Sequence, residues 1–180
     1  MNSDDYPKKI LFFGYGANRN KNKLIQVLGH SVGEGVGAVL EGYVLVYQTI
    51  SQLPEHLRNF FAETYGHNFK AYTLRAGEGV VSGTIWEIDE KDLEILKEWE
   101  FVPEWREVVE VIVLSAGGKE VQVLTEKSKD EFQFHEITDG VNYEEFNFPR
   151  LSKDDPKQEL YYTKQQIERI KGWLEQQSKK

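Results

Sequence analysis

The order of strand-like and helix-like patterns limits the folds available to this chain of 180 residues. A short apolar strand comes first, and a helix, several strands, another helix, a hairpin and a last helix follow. The predicted strands are 8–13, 42–47, 71–74, 80–88, 108–114 and 120–125. The predicted helices are 21–28, 89–100 and 163–177, with a further short helix inside the region 52–68. The last helix has an apolar stripe that consists of Ile167, Ile170 and Leu174. Because strands and helices do not alternate regularly, a doubly wound parallel sheet is disfavoured. The pattern predicts an α+β fold with a compact, mixed, mostly antiparallel sheet, closed like a barrel and flanked by a few helices.

Glycines and capping residues set the predicted boundaries. Gly77-Glu78-Gly79 is typical of a turn, which would join the strands at 71–74 and 80–88. Ala116-Gly117-Gly118 likewise predicts the tip of the later hairpin. Asn18 or Asn20 can cap the helix at 21–28. Asp89 can cap the helix at 89–100, since Asp92 follows at capping-box spacing.

Composition narrows the classes of partner. The 22 basic and 30 acidic residues give a net charge of −8, which repels phosphate backbones and anionic membranes. The chain has no cysteine, which excludes disulfides and zinc–thiolate sites and fits a reducing compartment. We therefore expect a cytoplasmic protein without nucleic-acid or membrane partners. We also expect a polar tail over residues 1–8 and a single domain over residues 9–180.

Glu100 ends an apolar helix face. Leu93, Leu96 and Glu100 are spaced i, i+3 and i+7, so they share that face, whereas Glu98 is on the outer one. Burial and the negative end of the helix dipole would both raise the pKa of Glu100 toward the range of a general base. In the alternative, the helix stops by residue 98 and Glu100 faces solvent.

A glycine-rich loop directly follows the first strand. Gly14 and Gly16 flank Tyr15, and glycine lets backbone N–H groups converge on an anion or oxyanion. A dinucleotide fingerprint would need a third glycine where Arg19 stands. The alternative is an ordinary strand-to-helix turn.

Four segments, taken in this order, resemble the γ-glutamylcyclotransferase-like family. They correspond to its Tyr-Gly-Ser-Asn loop, its Leu-x-Gly-Tyr strand, its Val-x-Gly strand and its helix that ends in glutamate. The segments are Phe12–Asn18, Leu40–Leu45, Val81–Ile88 and Leu93–Glu100. The resemblance implies that Glu100 is the general acid/base and that a γ-glutamyl amide is cyclised to 5-oxoproline without metal or cofactor. The substrate-binding residues it implies are Tyr15, Gly16, Ala17, Asn18, Trp105 and Tyr161.

The sequence also departs from the family pattern. Ala17 replaces the usual serine, Phe101 replaces the glycine after the glutamate, and Trp105 stands where the family has tyrosine. A non-catalytic ligand-binding protein of the same fold is therefore one alternative. A protein-interaction module that uses the aromatic residues of 132–148 is another. For any of these we expect a monomer or homodimer.

Overall fold

The computed structural model describes residues 7–137 and 168–180. The strands are β1 (Ile10–Gly14), β2 (Val36–Thr49), β3 (Lys70–Ile88), β4 (Arg106–Ser115), β5 (Glu120–Ser128) and β6 (His135–Glu136). The α-helices are α1 (Lys21–Leu28), α2 (Glu55–Tyr65), α3 (Glu90–Trp99) and α4 over 168–178. Short 3-10 helices cover Ala17–Arg19 and Ile50–Gln52.

The described chain divides into two compact units. The first contains residues 7–45 and 74–129, and the second contains 46–73, 130–137 and 168–180. The single domain predicted for residues 9–180 stays a prediction. No helix in the described ranges has the length and apolar character needed to cross a membrane.

Five strands of the first unit form a closed barrel. Their order is β3-β1-β5-β4-β2, and a further pairing of β2 with β3 closes the ring. The pairs β1–β3, β2–β4 and β4–β5 are antiparallel, whereas β1 runs parallel to β5. The predicted α+β fold with a mixed, mostly antiparallel, barrel-like sheet is therefore confirmed.

Two apolar layers cover the two faces of the barrel wall. Phe13 belongs to a cluster with residues from all five strands, which is the barrel core. Phe12, its neighbour on β1, packs with residues of α1 and α3 in the outer helix layer. Successive strand residues point to opposite faces, so one short strand serves both layers.

The first and third helices begin where local capping chemistry predicts. The side chain of Asn20 accepts a hydrogen bond from the Lys23 N–H at the start of α1. At α3, Asp89 and Asp92 each accept from the other's backbone N–H, which confirms the capping box. These caps satisfy N–H groups that lack an acceptor within the helix.

The predicted Gly77-Glu78-Gly79 turn is wrong, because β3 is one continuous strand of 19 residues. The two glycines lie where Val44 of β2 presses against the strand. A Cβ atom on Gly77 would be 3.3 Å from the Val44 methyl groups, and one on Gly79 would be 2.7 Å from the Val44 Cγ1 atom. Glycine is needed here for close approach between strands.

The second unit contains α2, the end of β2, the start of β3, β6 and α4. Helix α2 lies within the predicted helical region 52–68 and buries Leu57 and Phe61. Tyr47 at the end of β2 pairs with His135 of β6, and their rings stack at 5.2 Å. Ile170 of α4 is buried, in agreement with its predicted apolar stripe.

Gly83 of β3 allows the paired strand β1 to approach very closely. A Cβ atom at this position would lie 2.5 Å from the Phe13 ring and from the Gly14 carbonyl oxygen. We expect Gly83→Ala to lower the free energy of unfolding by about 1–3 kcal/mol through overpacking, measured by urea denaturation.

Gly37→Ala is the matched control, because a Cβ atom added to this strand glycine of β2 would meet no neighbouring atom within 4 Å. It should leave the urea midpoint unchanged or raise it slightly. Equal stability of the two variants would show that the contact between Gly83 and β1 tolerates a methyl group.

Candidate active site

The loop after β1 folds back tightly on its own strand. A side chain on Gly14 would overlap the carbonyl oxygen of Asn18. The Trp86 indole N–H donates to that same oxygen at 2.7 Å, which ties the loop to β3. Thr125 Oγ1 donates to the Phe13 carbonyl at 2.7 Å and ties the end of β1 to β5. The loop is thus fixed by neighbouring strands as well as by its own sequence.

Helix α3 ends in a turn at Glu100 that differs from the usual glycine turn. Phe101 takes the left-handed conformation, with φ 55°, and the residue is 3% exposed. Its N–H donates to the Glu98 carbonyl at 3.2 Å, and the Val102 N–H donates to the Lys97 carbonyl at 2.9 Å. This is a Schellman motif with phenylalanine where glycine is preferred. The departure noted at Phe101 therefore keeps the turn geometry.

The Glu100 carboxylate lies against the glycine-rich loop. Its side chain is 13% exposed, so the alternative in which it faces solvent is wrong. The Asn18 side-chain amide donates to Glu100 Oε1 at 2.9 Å. Two features that are 82 residues apart in sequence therefore meet through a direct hydrogen bond.

Two further charged side chains complete a buried cluster that the sequence analysis missed. Arg106 forms a direct ion pair with Glu126, and their side chains are 7% and 8% exposed. The same Arg106 Nη1 atom lies 3.4 Å from Glu100 Oε2. The Tyr15 hydroxyl donates to Glu126 Oε2 at 3.3 Å. We call Tyr15, Asn18, Glu100, Arg106 and Glu126 the carboxylate cluster.

The hairpin register explains why Arg106 and Glu126 meet. Arg106 is paired with Ser128, and Val108 is paired with Glu126, so the two charged residues are diagonal neighbours on one face. The Trp105 ring covers the guanidinium, with 4.4 Å from the ring centroid to Arg106 Cζ. The predicted hairpin began at residue 108 and ended at 125. Extending the register by three residue pairs, from Val109 with Thr125 to Arg106 with Ser128, would have revealed the charge pair.

Burial and charge together set the protonation of the cluster. Burial and the charge of Glu126 raise the pKa of Glu100, whereas Arg106 and the hydrogen bond from Asn18 lower it, and the net pKa is about 7. Burial disfavours the charged form of Arg106, but the carboxylates of Glu126 and Glu100 outweigh this and raise its pKa. Arg106 therefore stays cationic, while Glu100 exchanges a proton near neutral pH.

Solved structures of known proteins share this architecture. No family model matches the sequence, and no curated protein matches it. A structure described as a γ-glutamyl cyclotransferase has a TM-score of 0.57 and 20% identity, over 71% of this chain and 70% of that one. An uncharacterized protein from Homo sapiens has a TM-score of 0.56 and 22% identity, over 70% and 69%. A yeast γ-glutamyl cyclotransferase specific to glutathione has a TM-score of 0.50 and 10% identity, over 92% and 96%.

The chain has the γ-glutamyl cyclotransferase-like fold. This confirms the fold that the four sequence segments predicted. At these identities the likeness concerns the fold alone.

The remaining predicted site residues differ in their surroundings. Tyr15 is buried and bonded to Glu126, whereas Gly16 and Ala17 are half-buried at the start of the 3-10 helix. Trp105 is buried against Arg106. Tyr161 lies outside the described residues, so its predicted role stays a prediction.

The raised pKa of Glu100 predicts how stability depends on pH. Such a carboxyl group stabilises the fold below its ordinary pKa of 4.5, and the contribution is lost as the pH rises through about 7. We expect wild-type protein to lose stability relative to Glu100→Gln by roughly 1 kcal/mol per pH unit across this window. Urea denaturation at a series of pH values measures the difference.

Glu98→Gln is the control, since Glu98 is exposed in the same last turn of α3. Its stability should follow the wild-type pH dependence. A constant difference between wild type and Glu100→Gln across the window would contradict the raised pKa.

Proposed function

We propose that this protein is an enzyme of the γ-glutamylcyclotransferase type, which cyclises a γ-glutamyl amide to 5-oxoproline and releases an amine or amino acid. The main support for this proposal is the Glu100 carboxyl group. It is buried, it has a pKa of about 7, and it accepts a hydrogen bond from Asn18 of the loop at 2.9 Å. The fold shared with γ-glutamyl cyclotransferases supports the same reaction.

The proposed reaction needs one group that both accepts and donates a proton. The α-amine of the substrate attacks its own γ-carbonyl carbon, so a carbon–nitrogen bond forms and closes a five-membered lactam. The bond from that carbon to the leaving nitrogen then breaks. Glu100 takes a proton from the attacking nitrogen and delivers one to the leaving nitrogen. A carboxyl group that titrates near neutral pH is suited to both steps.

Ring closure lowers the demands on the rest of the site. Attack within one molecule needs the substrate to be held folded, and such positioning supplies a large part of the rate. Two hydrogen bonds close the 3-10 turn. The Arg19 N–H donates to the Gly16 carbonyl oxygen at 3.0 Å, and the Asn20 N–H donates to the Ala17 carbonyl oxygen at 3.1 Å. The N–H groups of Gly16 and Ala17 lie at the start of this 3-10 turn. In the proposed reaction they stabilise the oxyanion that develops on the γ-carbonyl oxygen.

The replacement of serine by Ala17 is compatible with this role. Alanine removes a hydroxyl group but keeps the backbone N–H of that position. The proposed contribution of the loop is made through the backbone, so the substitution affects the choice of substrate more than the reaction.

A second candidate is a non-catalytic protein of the same fold that binds a small carboxylate or amine. The engagement of loop side chains within the protein favours it, because Tyr15 is bonded to Glu126 and Asn18 to Glu100. Formation of 5-oxoproline decides between the two candidates.

The test is incubation of the purified full chain with a panel of γ-glutamyl peptides and γ-glutamyl amines. We expect 5-oxoproline and the free amine in equal amounts from at least one compound. Glu100→Gln should lower kcat/KM by about 10²–10⁴-fold, which is the usual contribution of a general acid/base. The release of 5-oxoproline is followed by chromatography.

Glu98→Gln again serves as the matched control and should retain wild-type kcat/KM. Unchanged activity in Glu100→Gln would refute its proposed role. If no compound in the panel gives 5-oxoproline, the ligand-binding candidate is favoured.

A further inference from the structure

The carboxylate cluster contains one cation and two carboxylates. Arg106 is in direct contact with Glu126, whereas its Nη1 atom is 3.4 Å from Glu100 Oε2. Electrostatic attraction falls with distance, so the guanidinium neutralises Glu126 more fully than Glu100. Glu126 therefore competes with Glu100 for the same positive charge.

Other structural features hold Glu126 in this competing position. The Tyr15 hydroxyl donates to the Glu126 oxygen that also contacts Arg106. The β4–β5 register fixes the backbones of Arg106 and Glu126, and the Trp105 ring covers one face of the guanidinium. The ion pair is thus held by two strands and an aromatic side chain.

Few charged groups of the described residues face Glu100. They are Arg106 from β4 and Glu126 from β5, and the hydroxyl of Tyr15, from the loop before α1, contacts both of them. On α3 itself, Lys97 points to Glu94 at 2.7 Å. On α1, Lys21 is paired with Glu34 at 2.5 Å.

We propose that Glu126 is a positioning residue for the proposed cyclisation, on which this inference rests: by pairing with Arg106 it withholds positive charge from Glu100 and keeps Glu100 basic enough to accept the substrate's proton. Glu126 acts through Arg106 and does not touch the reacting atoms. Without its charge, Arg106 pairs with Glu100, which then becomes a weaker base.

The pH dependence of kcat/KM tests this assignment. In Glu126→Gln we expect the acid limb of the pH profile of kcat/KM to move to lower pH by about one unit. The reason is that Arg106 then pairs with Glu100 and favours its ionised form. The fraction of plateau activity retained at about pH 5.5 should then rise about eightfold, while the plateau itself falls. Loss of packing alone would lower activity at every pH without moving the limb.

Glu126→Asp separates charge from shape. Aspartate keeps the negative charge, but its side chain is shorter by one methylene group, which moves the charge away from Arg106. The acid limb of Glu126→Asp should therefore lie between those of wild type and Glu126→Gln. Glu107→Gln is the matched control, since Glu107 is on the other face of the same hairpin and pairs with Lys127 at 2.8 Å. Its acid limb should coincide with that of the wild type.

A direct titration makes the result independent of activity. The side-chain carboxyl of Glu100 is followed by ¹³C NMR in protein labelled at glutamate, and its signal is identified by its loss in Glu100→Gln. The titration midpoint should fall in the order wild type, Glu126→Asp, Glu126→Gln. Equal midpoints, or an upward shift in Glu126→Gln, would overturn the inference. Absence of 5-oxoproline would instead overturn the proposed function and leave this titration decisive for the charge competition.

Discussion

The site depends on one buried guanidinium that lies between two carboxylates. Arg106 contacts Glu126 directly and Glu100 at 3.4 Å, and it brings together helix α3 and both strands of the β4–β5 hairpin. Burying charges is costly unless they are paired, so each of the three side chains needs the others. One positive charge cannot fully neutralise two negative charges, and the imbalance falls on Glu100. The same electrostatics thus hold the site together and give it a proton to exchange.

The position of the loop is set by close backbone contacts that only glycine permits. Gly14 lets the chain fold back onto Asn18, and Gly83 lets β3 lie close to the carbonyl oxygen of Gly14. The Trp86 indole then fixes the Asn18 carbonyl, so the Asn18 side chain reaches Glu100 from a rigid base. A site held by strands in this way has a more precise geometry than one built on a mobile loop.

The sequence predicts the features that depend on neighbouring residues. Helix α1 and the caps of α3 follow from Asn20, Asp89 and Asp92, each of which acts within one turn. The fold follows from four segments in order. Features that depend on distant partners are not predicted: the glycines of β3 are typical of a turn until Val44 is placed beside them. Arg106 and Glu126 are missed because their contact depends on the register at the open end of a hairpin.

The Trp105 ring over Arg106 has a consequence for how the site responds to its surroundings. Dissolved salt largely screens the attraction between exposed charges that are more than a Debye length apart, which is about 8 Å at physiological ionic strength, but it acts far less on buried charges. The guanidinium is such a group, since the indole covers one of its faces and the Arg106 side chain is 7% exposed. We therefore expect the proton affinity of Glu100 to depend on the folded arrangement of these side chains more than on the ionic strength of the medium.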